Sequence, residues 1–156
     1  MVYPRLLRRS HGFTLLEILV TMSILLIITA VSMKGIAQYA HRQTYQTAVE
    51  RIRSDFMETR EKTLASYNDT VYGMYVGTTT IEFFKGATPV VGSSSNTFID
   101  LSKYGVTATP SFKNGIRYIK FARLTGAASA TGTLKISDTH SSASTTLTIF
   151  TSGLIQ

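Results

Sequence analysis

One carboxylate interrupts the most apolar stretch of the sequence. From Phe13 to Met33 the chain reads FTLLEILVTMSILLIITAVSM, and Glu17 is its only charged residue. Within a bilayer an ionisable side chain costs on the order of 3 kcal/mol, so Glu17 needs a compensating partner or position. Thr14-x-x-Glu17 also fits a capping box, in which the carboxylate would favour the positive end of a helix dipole. Both roles, a helix cap and a group awaiting a cation from elsewhere, are open.

A second group of chemically capable residues is basic and lies near two tyrosines, Tyr104 and Tyr118. Its members are Lys103, Lys113, Arg117, Lys120 and Arg123. The last four are candidate nucleic-acid contacts, with cations on phosphates and aromatic rings against bases. The alternative is that they keep an exposed sheet soluble and unpaired at its edges. Because Arg117 and Lys120 would point to opposite faces of one strand, the sequence does not predict a single patch.

No pattern of catalytic residues is found. The three histidines, His11, His41 and His140, share no spacing typical of metal ligands, and the chain has no cysteine. Nucleophile-elbow, phosphate-loop and zinc motifs are also missing from the sequence. We therefore expect no enzyme, no cofactor and no metal.

The apolar run has the length of a membrane span. As a helix it would measure about 30 Å, close to the hydrocarbon thickness of a bilayer, so we predict a transmembrane helix. Its hydroxyl side chains can bond to carbonyls of the preceding turn; they are Thr21, Ser23, Thr29 and Ser32. Arg5, Arg8 and Arg9 precede the run, and this denser positive cluster predicts a cytoplasmic N-terminus with the C-terminal domain outside.

A small residue lies before the apolar run instead of after it. An ordinary secretory signal has a shorter apolar core followed by a small-residue cleavage site, whereas here the small residue is Gly12. Processing at Gly12 would keep the apolar segment in the mature chain, which makes sense only if that segment has a later use. It would also remove three of the 16 basic residues and lower the formal net charge from +7 to +4.

The segment RRSHGFTLLEILVTMSILLI resembles the N-terminus of type IV prepilins and type II secretion pseudopilins. Their pattern is a basic leader, then G-F-T-L-[LIV]-E, then an apolar helix. The resemblance implies cleavage between Gly12 and Phe13 by a prepilin peptidase, N-methylation of Phe13, and an assembly role for Glu17. In a filament the Glu17 carboxylate would pair with the Phe13 amine of a neighbouring subunit, which would penalise a wrong axial stagger.

The same resemblance implies partners and a location. The partners are other pilin or pseudopilin subunits, the prepilin peptidase and methyltransferase, an inner-membrane assembly platform and the lipid bilayer. The location is the inner membrane, crossed once, with the head on the periplasmic or extracellular side, and the filament after assembly. DNA is the alternative partner, bound by the head of a minor pilin that serves DNA uptake.

The fold class that we predict is α+β and pilin-like: a long N-terminal helix packed on a small antiparallel β-sheet head. Apolar residues at Tyr45, Val49, Ile52 and Phe56 have helical spacing, continued imperfectly by Leu64 and Tyr67, and favour one helix from about Thr14 to about Ala65. The predicted domains are a cleaved leader (1–12), a transmembrane and assembly helix (13–34), a helix continuation packed on the head (35–67) and a β-rich head (68–156).

Beyond Asn68 the pattern changes to short strands separated by turns. The predicted strands are Val71–Val76, Thr79–Phe84, Phe98–Leu101, Ile116–Phe121, Thr133–Ser137 and Thr145–Phe150. Gly77-Thr78 and Asn114-Gly115 are plausible turn dipeptides. The isolated acids Asp69, Asp100 and Asp138 are better explained as turn formers than as calcium ligands.

Several alternatives stay open from sequence alone. The helix end with Arg60 and the following strands also resemble the H-type pseudopilin and FimT-like minor pilin group. The chain lacks the helix proline and the C-terminal disulfide of many pilins, which favours a pseudopilin or minor pilin over a major adhesive pilin. A membrane-anchored binding module and a single-pass membrane protein with an accidental motif are the remaining interpretations. Secretion, motility and competence machines are not distinguished.

Overall fold

The computed structural model describes residues 12–156, apart from the side chains of residues 31–35 and 37. The predicted leader therefore lies outside the described residues except for Gly12. The chain divides into two compact units between His41 and Arg42.

A single helix, α1 (Leu15–Leu64), crosses from the first unit into the second. Its bounds confirm the helix predicted from about Thr14 to about Ala65. In the second unit the predicted stripe is buried, and Ile52 and Phe56 are fully shielded from solvent. The expected continuation through Leu64 and Tyr67 is wrong, because these side chains are 39% and 57% exposed. Thr59 and Thr63 take the buried positions of the last turns instead.

These buried threonines satisfy their hydroxyls within the helix and tie its end to the first strand. The Thr59 hydroxyl donates to the Asp55 carbonyl at 2.7 Å, and the Thr63 hydroxyl donates to the Thr59 carbonyl at 3.1 Å. The Thr63 oxygen also accepts from the backbone N–H of Tyr72 at 3.0 Å. A search for apolar residues at helical spacing passes over Thr59 and Thr63 because threonine is polar. Both can nevertheless be buried at little cost, since their hydroxyls bond to carbonyls of the same helix.

The head contains seven strands in two antiparallel sheets. They are β1 (Tyr72–Val76), β2 (Thr80–Lys85), β3 (Thr97–Asp100), β4 (Val106–Phe112), β5 (Tyr118–Lys120), β6 (Gly132–Asp138) and β7 (Ser144–Ile149). One sheet has the order β3-β2-β1-β5 and the other β4-β6-β7. The α+β class with an antiparallel head is confirmed, whereas the division into two sheets is a feature that the sequence did not reveal.

Six strands coincide with predicted ones to within two residues, and β4 was missed. Its sequence, VTATPSF, contains Pro110 and only three buried apolar residues, Val106, Ala108 and Phe112. A proline argues against a central strand because it cannot donate to a ladder. β4 lies at the edge of its sheet and pairs only with β6, where Pro110 is opposite Leu134. The edge position is what makes the proline tolerable.

One continuous core joins the helix to both sheets. Ile52 and Phe56 of α1 share it with residues of the first sheet such as Met74 and of the second sheet such as Leu134. The Phe56 and Phe121 rings meet edge to face, with centroids 5.1 Å apart. The helix therefore serves as the common packing surface of the head, and neither sheet has a separate core.

The predicted turn role of the isolated acids is confirmed for Asp100 and Asp138. Asp138 accepts from the His140 backbone N–H at 2.9 Å and from the Ser141 hydroxyl at 2.6 Å. Asp100 caps a 3-10 helix, Leu101–Tyr104, by accepting from the Ser102 N–H at 3.0 Å. The hydrogen bond from the Ser102 hydroxyl lowers the pKa of Asp100 below its ordinary value of 3.8.

A pH dependence follows from this cap. Because the pKa of Asp100 is lower in the folded state, its contribution to stability is present above 3.8 and is lost as the pH falls through the folded-state value. The variant Asp100→Asn keeps an acceptor but cannot titrate, so its free energy of unfolding should fall less than that of the wild type on acidification. Urea unfolding of the full chain in detergent, at about pH 6 and about pH 2.5, checks this. An identical loss in both proteins would contradict it.

Candidate functional site

The peptide bond between Gly12 and Phe13 lies in a stretch without regular structure, directly before α1. Residues 12–14 form no helix or strand, and the Phe13 side chain is 76% exposed. A Cβ placed on Gly12 would meet no atom within 4 Å. None of the described residues therefore crowds the backbone at Gly12.

Thr14 caps the helix that follows. Its hydroxyl oxygen accepts from the Glu17 backbone N–H at 3.2 Å, and its carbonyl accepts the first helical hydrogen bond, from Ile18 N–H, at 3.2 Å. This is one half of the predicted capping box. The other half, a bond from the Thr14 N–H to the Glu17 carboxylate, is not among the hydrogen bonds of residues 12–156.

The Glu17 carboxylate is consequently uncommitted within the described part of the chain. The residue is exposed, and none of the ion pairs among residues 12–156 involves it. Its position in the first turn of α1 places it near the positive end of the helix dipole, which favours an anion there. The two sequence interpretations are thus compatible: the backbone of Glu17 is used in the cap, and its carboxylate is available to a cation.

Apolar side chains cover every side of the helix after Glu17. Twelve large apolar side chains among residues 13–28 are exposed, from 47% at Val20 to 83% at Leu15. A helix that is apolar all round is stable only when another apolar phase or other helices surround it.

The hydroxyls within this segment are satisfied internally, as the sequence predicted. Thr21 donates to the Ile18 carbonyl at 2.9 Å, Ser23 to the Leu19 carbonyl at 2.8 Å, and Thr29 to the Leu25 carbonyl at 2.7 Å. These three hydroxyls thus add no unpaired polar group to the apolar surface. Ser32 lies outside the described side chains.

Among the described residues, no helical stretch reaches both the length and the hydropathy of a membrane span. The span predicted from sequence runs to Met33, and the side chains of residues 31–33 are not among the described ones.

The candidate nucleic-acid contacts do not act as one group. Lys120 donates to the Ala87 carbonyl at 3.3 Å, and Arg123 pairs with Asp69 and donates to the Ser66 hydroxyl at 3.2 Å. Lys113 and Arg117 are exposed on either side of the turn at 114–115. Two of the four cations therefore hold loops of the head in place, a role that the sequence did not assign to them.

Arg60 fastens two distant loops to the end of α1, and the sequence assigned no function to it. Its Nε donates to the carbonyls of Gly126 and Ser152, each at 3.2 Å, and its Nη2 donates to the Ser152 carbonyl at 3.1 Å. Gly126 and Gly153 adopt φ of +63° and +75°. A Cβ on Gly153 would lie 2.0 Å from the Gly126 carbonyl oxygen, so only glycine fits under the guanidinium. In the sequence, the only available signal was a glycine in each of these two loops.

Glu82 organises the serine-rich loop in a similar way. It lies on β2 and is 92% buried, and its carboxylate accepts from the Gly92 N–H at 2.8 Å and from the Asn96 side-chain amide at 3.0 Å. The same amide donates to the Val90 carbonyl at 2.8 Å. These bonds stabilise the buried Glu82 side chain, which takes part in none of the ion pairs among residues 12–156. The sequence did not indicate this role, because Glu82 is a single acidic residue within a predicted strand.

The Arg60 contacts yield a stability prediction. In Arg60→Lys a compact ammonium on a flexible stem replaces the planar fork that donates from both Nε and Nη2. The carbonyls of Gly126 and Ser152 then lose this fixed donor geometry, and we expect a loss of about 1 to 2 kcal/mol in the free energy of unfolding. Urea unfolding of the full chain in detergent measures it. Arg51→Lys is the matched control, because Arg51 is exposed, its ion pair joins it to Asp55 of the same helix instead of to a distant loop, and lysine keeps the charge. Equal effects of the two substitutions would contradict the role of Arg60.

Comparison with known proteins identifies the N-terminal segment. Residues 7–33 match the family model described as the prokaryotic N-terminal methylation motif. The match includes Gly12, Phe13 and Glu17 and ends before the head begins. No curated protein and no solved structure matches the chain.

Proposed function

Because the chain carries, at residues 7–33, the prepilin-type cleavage and methylation signal of type IV pilins and pseudopilins, we propose that it is a minor subunit of a pseudopilus or type IV pilus. In this proposal the subunit is assembled through its N-terminal helix. The motif is typical of structural subunits, and the proposed role is accordingly structural and not enzymatic.

The observation that carries this proposal is the arrangement at the start of α1. An accessible Gly12–Phe13 bond, a capped helix start at Thr14, an exposed carboxylate at Glu17 and a fully apolar helix surface follow one another in that order. In this proposal the Gly12–Phe13 bond is cleaved and releases an amine at Phe13. The Glu17 carboxylate then pairs with such an amine on a neighbouring subunit, and the apolar helix surface packs against other helices.

Cleavage would create a charge that needs a partner. A free amine at Phe13 would lie at the positive end of the α1 dipole, so that both charges there would have the same sign. Pairing with the Glu17 carboxylate of a neighbouring subunit would neutralise this charge. The attraction would also compensate the free-energy cost of removing both groups from water. Since the pair forms in only one axial register, it would also set the stagger between subunits.

The membrane is the proposed location of the subunit before assembly. The twelve exposed apolar side chains of residues 13–28 and the internally bonded hydroxyls support a helix that lies in lipid. The basic residues Arg5, Arg8 and Arg9 before this helix support a head outside the cytoplasm. After assembly, helices of other subunits would replace the lipid. The lack of cysteine and of a helix proline supports a minor subunit.

The processing step gives the first prediction of this proposal. In cells with an active prepilin peptidase, mass spectrometry should find a mature chain that begins at Phe13 and carries one additional methyl group. Gly12→Leu should leave the chain uncleaved. A Cβ at Gly12 meets none of the described atoms within 4 Å, so we expect the fold of residues 15–156 to be unchanged. Cells without the peptidase are the control. A chain that begins at Met1 despite an active peptidase would refute the proposal.

Assembly gives the second prediction. Glu17→Gln keeps the size of the side chain but removes the charge, so we expect normal cleavage and at least a roughly tenfold loss of incorporation into filaments. Immunoblots of sheared filaments and of membranes, probed for the mature chain, separate the two steps. Glu61→Gln, an exposed carboxylate of the same helix, is the matched control. Normal incorporation of the Glu17→Gln protein would exclude the pairing.

A further inference from the structure

Three of the four sheet edges in the head are protected against pairing with another strand. The edge of β5 is covered by residues 127–129, where the Ser129 N–H donates to the Lys120 carbonyl at 2.8 Å. The edge of β4 contains Pro110, and β3 is only four residues long and ends in Asp100. Proteins prevent association through sheet edges by covering the edge, by placing a proline or a charge on it, or by keeping the edge strand short.

The fourth edge, that of β7, is only half covered. The C-terminal residues fold back on it, so that the N–H and carbonyl of Thr148 bond to those of Gln156 at 2.8 and 3.0 Å. In an antiparallel ladder every second residue directs its backbone groups to the same side. The backbone groups of Thr146 and Ser144 therefore face the same side as those of Thr148, and no bond from outside the β6–β7 ladder reaches them among the described residues.

The composition of β7 offers no protection either. Its sequence, STTLTI, contains no charge, proline or glycine and consists mainly of β-branched residues. Ser144 and Thr146 are exposed. The tail already shows that this side of β7 accepts an antiparallel strand, through the bridge between Ile149 and Ile155.

A basic groove borders the open half of this edge. It has a volume of about 490 Å3 and lies between α1 and the start of β7. Two arginines, Arg42 and Arg53, line it together with one acid, Glu50. The Nε of Arg53 is buried, and none of the residues that the structure describes provides it with a hydrogen-bond partner. A buried guanidinium donor without a partner favours any ligand that brings an acceptor.

The edge and the groove are adjacent because Thr145 belongs to both. Its hydroxyl meets the Tyr45 hydroxyl at 2.7 Å, and both residues line the groove. A strand added beside Ser144 and Thr146 would turn every second side chain to the face that Thr145 and Leu147 occupy. Those side chains would lie next to the groove.

We propose that the open half of the β7 edge binds an extended acidic segment of another protein. The segment adds antiparallel to Ser144–Leu147, and one of its carboxylates enters the groove beside Arg53. Backbone hydrogen bonds supply affinity, and the arginines select an acidic side chain. This surface belongs wholly to residues 42–156, so it does not depend on how the N-terminal helix assembles.

Fluorescence anisotropy with short labelled peptides tests the proposal on the full chain in detergent. The probe is a peptide of alternating threonine and valine in which one valine is replaced by glutamate; a second peptide carries glutamine there. We expect saturable binding with at least about a tenfold preference for the glutamate peptide. Arg53→Gln should abolish this preference, whereas Arg51→Gln, on the same helix but outside this groove, should preserve it.

Two further measurements examine the backbone contacts. Thr146→Pro removes an outward N–H and leaves the β6 ladder intact, so binding should weaken at least about tenfold. The glutamate peptide with alternate N-methylated amides should fail to bind the wild-type chain, a result that does not depend on the folding of a variant. Absence of saturable binding at millimolar peptide, or unchanged binding of the N-methylated peptide, overturns the proposal. Self-association of the chain that Thr146→Pro abolishes would identify a second copy as the occupant and would also overturn it.

Discussion

The apolar surface of the first half of α1 is the constraint to which the rest of the chain is adapted. Its exposed side chains surround the helix, so no fold of that segment alone could cover them. Removing such a surface from water contributes about 25 cal/mol for each Å2. In the proposed function, lipid and then other subunits cover this surface, and the prokaryotic N-terminal methylation motif at residues 7–33 supports that proposal.

The second half of the same helix is apolar on one side only. Here apolar residues form one stripe, which Ile52 and Phe56 occupy at full burial, and the head packs on that stripe alone. Toward the helix end Thr59 and Thr63 replace apolar residues, and the Thr63 oxygen receives the first strand through Tyr72. In the first half of α1 the exposed apolar residues lie on all sides of the helix, whereas in the second half they form one stripe that packs on the head.

Polar contacts between distant parts of the chain then fix the loops of the head. Arg60 holds the loops at Gly126 and Ser152, Glu82 holds the serine-rich loop, and Arg123 holds the exit from α1 through Asp69. Each loop is held by a side chain that forms a hydrogen bond with a backbone group or an ion pair with a single acidic residue. These contacts give several charged residues of the head a structural role.

The sequence by itself determined the features that depend on neighbours in the chain. The Gly12–Phe13 and Glu17 motif is linear, the helix follows from apolar spacing, and six strands follow from runs bounded by turn residues. The tertiary structure alone decided the features that join residues far apart. Pro110 became tolerable only because β4 lies at a sheet edge, and Arg60 gained its function only when residues 126 and 152 came within hydrogen-bond distance. The physical reason is that periodicity and turn chemistry act over a few residues, whereas sheet order, burial of polar groups and open edges depend on which distant segments pack together.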